Sequence, residues 1–335
     1  MKKYRLLCIL ICMMCFLFQG CSRNATPISK SGIYFDTVIT ITLYGNEHYE
    51  LLDECFQIAQ KYENLFSKTV ETSDVYKINH SGGEATIVDS ETIYLLEKAI
   101  SYAQMTDGAI DPTILPLSDL WNFGVNETVP SSADIASALS YVGYENVLIE
   151  KEASSVTLKN PNAGIDLGFI AKGYIADKMK EFLLSKGVEN ALINLGGNIL
   201  CVGNKPDGSG FVLGIQEPFS QGEFSIPNVL VTDKSLVTSG VYERCFYKDD
   251  VLYHHILDTK TGYPINNGLW SVTILSDSSM EGDAYSTICM CLGFDVITGS
   301  RAIFAKCSIF RNHCIESFGS MAVSGLRSEK PTLLV

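Results

Sequence analysis

One carboxylate and two aliphatic hydroxyls fall within five residues in the segment Gly282-Asp283-Ala284-Tyr285-Ser286-Thr287. On a helix, positions 283, 286 and 287 share one face, a turn apart. Asp283 supplies a carboxylate, and Ser286 and Thr287 supply hydroxyls. These are hard oxygen ligands of the kind that suits magnesium, which takes a few protein groups and completes its shell with water or substrate phosphate. The same residues also suit an ordinary helix with an acidic first turn and satisfied hydroxyls. A second element upstream gives the metal reading its weight.

That element is Asp166-Leu167-Gly168-Phe169-Ile170-Ala171-Lys172-Gly173. A helix beginning near Phe169 directs free N–H groups and a partial positive charge toward its N-terminus. Gly168 and Gly173 allow close approach of a ligand or a neighbouring strand, and Lys172 lies in the first turn. Together they suit a pyrophosphate. Asp166 is placed to accept from a ribose hydroxyl or a ring N–H. A capped helix with one solvated lysine is the plainer alternative. The chain has neither G-x-G-x-x-G nor a Walker A sequence, so the standard dinucleotide and P-loop readings fail.

Other segments add candidates. His254-His255-Ile256-Leu257-Asp258 places His255 and Leu257 on one face of an expected strand. His255 is a candidate general base, because an imidazole titrates near neutral pH, although a strand histidine can equally be structural. Asn194-Leu195-Gly196-Gly197-Asn198 is a glycine turn, and Ser239-Gly240 can offer backbone N–H groups. Ala109-Ile110-Asp111-Pro112 and Leu120-Trp121-Asn122-Phe123-Gly124 suggest a pocket wall.

Elements must hold these groups in place. Residues 33–43 alternate β-branched and polar side chains, which predicts one strand. Residues 49–66 and 90–106 carry apolar residues at helical spacing, and Ser131-x-x-Asp134 predicts a capped helix start. A helix runs to about Ser185 with Gly187 ending it. Short strands are expected at 146–149, 155–159, 191–194, 199–202, 211–216, 228–232, 236–238, 252–257 and 271–275, with a helix over 282–292. Strands and helices do not alternate regularly. The expected class is α+β, a single domain with mostly antiparallel sheet flanked by helices.

Composition sets outer limits. With 46% hydrophobic and 19% charged residues the chain builds an ordinary core. Its formal net charge is −13, or −16 once the cations Lys2, Lys3 and Arg5 of the leader are removed. Such a body repels nucleic acid, and a polyphosphate ligand needs local cations. Residues 1–21 resemble a bacterial lipoprotein signal: a basic start, an apolar run from Leu6 to Phe18, then Gly20-Cys21. Residues 22–31 read as a polar tether. The expected location is therefore the extracytoplasmic face of the cell membrane, with a lipid anchor. Seven cysteines remain beyond Cys21, scattered and without CxxC spacing. That argues against a disulfide framework and a zinc site and for buried thiols.

Seven segments, in order, resemble the ApbE family of FAD:protein FMN transferases. They are Asp107 to Thr113, Leu120 to Gly124, Asp166 to Tyr174, Leu192 to Asn198, Ser235 to Gly240, His255 to Pro264, and Glu281 to Thr287. The resemblance covers residues 33–293. It implies an enzyme with an FAD site in a cleft of residues 32–335, which binds Mg²⁺ and moves FMN from FAD to a Thr or Ser hydroxyl of an exported protein, releasing AMP. The acceptor site would be a Ser/Thr-Gly-Ala-Thr/Ser-like sequence. It implies metal ligation by the Phe169 carbonyl, Asp283 and Thr287, with Ser286 nearby. It implies flavin-dinucleotide contacts at Phe35, Thr69, Ala109, Ile110, Asp111, Asp166, Lys172 and Leu257, with His255 beside the reacting phosphate. His255 or Asp258 would take the hydroxyl proton. Departures from the family pattern are Phe35-Asp36-Thr37, Thr69, Val241, Asp258-Thr259, and a divergent tail over 294–335. Two rival activities share these residues: Mg²⁺-dependent FAD hydrolysis to FMN and AMP, and FAD binding without catalysis.

Overall fold

The computed structural model describes residues 26–45, 48–220, 225–293, 307–311 and 314–318. The leader with Cys21, and most of the tail, lie outside them. A mixed-order antiparallel sheet carries the fold. Its first two strands, β1 (Ile28–Tyr34) and β2 (Thr37–Leu43), form a hairpin. The single strand expected over 33–43 is thus two. Phe35 and Asp36 form the two-residue loop with φ of 52° and 55°. Positive φ at both loop positions is the pattern of a type I′ turn, whose twist matches the flanking strands. The alternation of residue types runs through this turn, so it hides the break. β1 also claims residues 28–31 from the expected tether.

Helix α1 (Tyr49–Phe66) buries Leu52, Cys55, Ala59, Tyr62 and Phe66 at helical spacing, as the periodicity requires. Next come α2 (Asp74–Asn79), β3 (Thr86–Ile87) and α3 (Ser90–Met105), which is capped by the Asp89 side chain. Two short helices, α4 (Leu115–Trp121) and α5 (Ser132–Leu139), follow. The Ser131 hydroxyl accepts from Asp134 N–H at 3.1 Å, so the predicted cap is present. β4 (Val147–Glu150) and β5 (Ser155–Leu158) join β3 in a small antiparallel sheet.

Helix α6 (Ala171–Ser185) starts two residues later than Phe169. It ends in a Schellman motif: Val188 N–H binds the Leu183 carbonyl, Gly187 N–H binds that of Leu184, and Gly187 has φ of 78°. The chain then returns to the main sheet with β6 (Ala191–Leu195) and β7 (Asn198–Val202). A hairpin of β8 (Phe211–Gln216) and β9 (Ser225–Val231) packs Phe211, Leu213 and Ile215 against Cys201 and Leu236. β10 (Ser235–Gly240) rejoins the sheet, and β11 (Cys245–Lys248) pairs with β12 (Val251–His254). The strand expected over 252–257 therefore stops at His254. β13 (Leu269–Ser276) leads into α7 (Ser279–Leu292). Finally β14 (Cys307–Arg311) and β15 (Cys314–Phe318) extend the edge, giving the order β1-β2-β6-β7-β10-β13-β14-β15.

One interhelix contact decides the position of the site. A Cβ on Gly173 of α6 would lie 2.2 Å from the Ser279 carbonyl oxygen, and one on Gly282 would lie 2.9 Å from Val237. Only glycine lets α6, α7 and β10 meet this closely. Asp177 of α6 then accepts from Ser279 N–H at 2.8 Å and Met280 N–H at 3.0 Å, satisfying the open end of α7. The main core lies between the α1, α6 and α7 layer and the sheet. Cys55, Cys201, Cys245, Cys289 and Cys291 are free thiols, and Cys55, Cys201 and Cys289 are buried. Trp121 is wholly buried, with its indole N–H on the Gly262 carbonyl at 2.8 Å, so it belongs to the core and not to a pocket wall.

Candidate active site

Asp283 is 5% exposed and lies where α7 crosses α6. Its Oδ2 accepts from Gly173 N–H at 2.8 Å. In a helix that had begun near Phe169, that N–H would bind the Phe169 carbonyl. Its diversion to Asp283 shortens the helix and releases the Phe169 carbonyl from that bond. Burial pushes the Asp283 carboxyl above its ordinary range, opposed by Lys172, the Gly173 N–H and Asn198. The Ser286 hydroxyl donates to the Asp283 carbonyl at 2.9 Å. Ser239 of β10 bonds both Ser286 Oγ at 2.7 Å and Thr287 Oγ1 at 3.1 Å. A carboxylate and two hydroxyls thus gather where α7 meets the first turn of α6.

These groups suit a hard divalent cation. Among the described residues there is no cluster of three or more His, Cys, Asp or Glu able to hold a metal. A site with one carboxylate and neutral oxygens, completed by substrate phosphate, is instead the pattern that magnesium uses.

Asp166 precedes α6 and is held by several partners. Its Oδ1 accepts from Gly168 N–H at 2.9 Å, and Lys68 Nζ lies 3.1 Å from its Oδ2. Burial opposes ionisation, but Lys68, the Gly168 N–H and Arg244 outweigh it and keep the carboxyl below its ordinary range. Asp166 N–H donates to the Pro112 carbonyl at 2.8 Å, which ties this loop to Ala109-Ile110-Asp111. Lys68 also reaches Asp119 at 3.0 Å. Thr69 is its neighbour, with Oγ1 3.1 Å from Ser67 Oγ. Lys68 was not legible as a site residue because its partners are about fifty and a hundred residues away in the chain.

Several expected contacts have other partners here. Both Asp111 oxygens are committed: Oδ1 accepts from Thr113 N–H and Oγ1–H at 2.8 and 2.6 Å, and Oδ2 accepts from Tyr144 N–H at 2.8 Å. Ile110 and Leu257 are each 6% exposed. Leu257 packs with Leu117 and Trp121. Phe35 is half-buried at the hairpin turn, where its N–H binds Glu63 Oε1 at 2.8 Å. Asp258 organises its own turn, accepting from Lys260 N–H at 2.7 Å. Thr259 donates to the Gly108 carbonyl at 2.5 Å, which latches this turn to the Ala109 segment.

His255 follows β12, and its N–H donates to the Arg244 carbonyl at 3.1 Å. Its Nδ1 is buried without a hydrogen-bond partner. Burial, with Arg244 and His254 adding to it, lowers the His255 pKa to about 3, so the imidazole is neutral at physiological pH. Lys172, whose Nζ donates to the Gly168 carbonyl at 3.3 Å, acts electrostatically on His255, Asp283 and Glu243. Desolvation raises the Glu243 carboxyl, against Lys172 and Arg244. Lys172 therefore acts on both His255 and Asp283, and Arg244 on both His255 and Asp166. Glu243 and Arg244 were missed from sequence. The signal lay beside them, in Ser239-Gly240, the end of β10 from which their loop starts.

Known proteins share this fold and sequence. Residues 35–300 match the ApbE family. A Klebsiella pneumoniae (strain 342) protein named FAD:protein FMN transferase is 36% identical over 269 residues, covering 80% of this chain and 83% of the relative. A Treponema pallidum (strain Nichols) protein of the same name is 31% identical over 307 residues, covering 86% and 85%. The crystal structure of the Thermotoga maritima ApbE protein aligns with a TM-score of 0.80 at 34% identity, covering 88% of this chain and 97% of that one. The Vibrio cholerae flavin transferase ApbE aligns at 0.77 and 27% identity, with the same coverage. On the strength of these matches across most of its length, the chain belongs to the ApbE family.

Proposed function

We propose that this protein is a Mg²⁺-dependent FAD:protein FMN transferase, joining FMN to a Ser or Thr hydroxyl of an exported acceptor and releasing AMP. The observation that carries the reading is the meeting of Asp283 with the first turn of α6, where Lys172 acts electrostatically on both Asp283 and the neutral His255. Asp283, the Thr287 hydroxyl and the Phe169 carbonyl would hold the ion, with Ser286 supporting Thr287 through Ser239. Bound there, Mg²⁺ supplies charge neutralisation for a diphosphate.

The chain's own residues do the rest. Lys172 offsets the charge that a net −13 chain would otherwise turn against an anionic substrate. Phosphoryl-type transfer needs positioning, electrostatic stabilisation and a proton acceptor. His255 is that acceptor, because it is neutral, whereas the Asp258 carboxylate is engaged in its turn. The Thr259–Gly108 bond ties the turn that follows His255 to the segment that contains Ala109. A lipid anchor at Cys21 would leave six residues before β1 at Ile28, holding the body within roughly 20 Å of the membrane surface.

The test is to incubate the protein with FAD, MgCl₂ and a peptide carrying a Ser/Thr-Gly-Ala-Thr/Ser-like sequence. Mass spectrometry should find FMN on the peptide and AMP in solution. Free FMN and AMP without an adduct would assign hydrolysis instead. Intact, bound FAD would assign a binding protein.

A further inference from the structure

Arg244 is the sole arginine between Arg23 and Arg301, in a chain with 38 acidic residues. In such a chain a surface arginine would be expected to find a carboxylate. Yet among the described residues the Arg244 guanidinium makes no hydrogen bond or ion pair, whereas Lys68, Lys178, Lys180 and Lys186 are all paired. Its place is set by the β11–β12 hairpin. Cys245 pairs with His254, so Arg244 stands next in register, opposite His255, and their backbones share the 3.1 Å bond. Arg244 acts electrostatically on Asp166, Glu243 and His255, and Lys172 acts on Glu243, His255 and Asp283. Two cations of a strongly acidic protein therefore act on the proton acceptor, one of them from the facing residue of the same hairpin. Guanidinium presents planar paired donors that match phosphate oxygens, and lysine presents a point charge.

We propose that Arg244 is a catalytic residue that binds the non-bridging oxygens of the FMN phosphate under attack. The inference rests on the transferase reading and assigns one side of its reacting phosphorus. In that step the acceptor oxygen forms a bond to the FMN phosphorus as the phosphorus–oxygen bond to AMP breaks. The hydroxyl proton passes to His255, and AMP leaves with the bonding electron pair. Arg244 holds the equatorial oxygens, while the Asp283 side serves the phosphate of the leaving AMP.

The experiment compares wild type with Arg244→Ala and Arg244→Lys. Affinities for FAD and riboflavin are measured by flavin fluorescence in EDTA, and FMN transfer is measured with and without added guanidinium chloride. For Arg244→Ala the ratio of FAD to riboflavin affinity should fall at least tenfold with riboflavin affinity unchanged. Its kcat should fall a hundredfold or more, with partial recovery on adding millimolar guanidinium. Arg244→Lys should lie between the two. An unchanged affinity ratio together with an unchanged kcat would overturn the proposal while leaving the transferase reading intact. Equal loss of FAD and riboflavin binding would overturn it too, by showing a structural role. A wild type that binds FAD yet forms no adduct would instead overturn the transferase reading.

Discussion

Gly173 N–H donates to Asp283 Oδ2 at 2.8 Å, joining the first turn of α6 to α7 across 110 residues of sequence. The bond delays the start of α6 and fixes the one buried carboxylate of the proposed ligand set. Both consequences depend on a glycine with the Ser279 backbone against its Cα, so the helix crossing and the site are one feature.

Asp283→Asn should abolish FMN transfer, with a loss of at least about a hundredfold. The amide oxygen can still accept from Gly173 N–H, so urea unfolding should change by no more than about 1 kcal/mol. Thr287→Ala should cost less, about tenfold, since water can replace a neutral oxygen. Transfer assays and denaturation curves on the same preparations check both.

Gly173→Ala forces a methyl group into the Ser279 backbone. Overpacking of this kind costs about 1–3 kcal/mol. Transfer activity should fall as well, since Asp283 moves with α7. A lower urea midpoint together with reduced FMN transfer is the expected pair of results.

Lys68→Met removes the cation from Asp166 and Asp119. Asp166 then loses the partner that keeps it ionised against burial, and its carboxyl should rise. Stability should fall by about 1–3 kcal/mol at neutral pH, with a smaller loss at pH 4, where unfolded-state carboxylates are partly protonated. Urea titrations at the two pH values check this.

His254 and His255 have folded pKa values lowered by burial to about 4 and about 3, against 6.5 for an unperturbed histidine. As pH falls below 6.5 the unfolded chain binds protons that the folded chain refuses. The two histidines should therefore weaken stability progressively from pH 6.5 down to about 4 for His254 and about 3 for His255. His254→Gln should flatten this dependence. The transfer rate of wild type should show no inflection near pH 6.5, and His255→Ala should lose about 10²–10⁴-fold in kcat.

Some of this was open to inspection in the chain. Local periodicity gave α1, α3 and the end of α6, because burial of one helix face selects apolar spacing directly. The oxygens of Asp283, Ser286 and Thr287 were recognisable because a single helix places them together. The β1–β2 turn was not, since Phe35-Asp36 lacks the Asn-Gly or Asp-Gly signal and the alternation continues through it. Lys68, Asp177, Glu243 and Arg244 were not, because their partners come from distant segments and no local pattern marks them.

Taken alone, then, the order of residues determined the α+β class, the main helices, the family resemblance and the oxygen donors of α7, all consequences of short-range spacing. Tertiary structure decided which of those donors meet the start of α6, why the Phe169 carbonyl is released, and where an unpaired arginine stands opposite His255. Close helix crossing and strand register bring remote groups into hydrogen-bond and Coulomb range, and neither distance is written in one dimension.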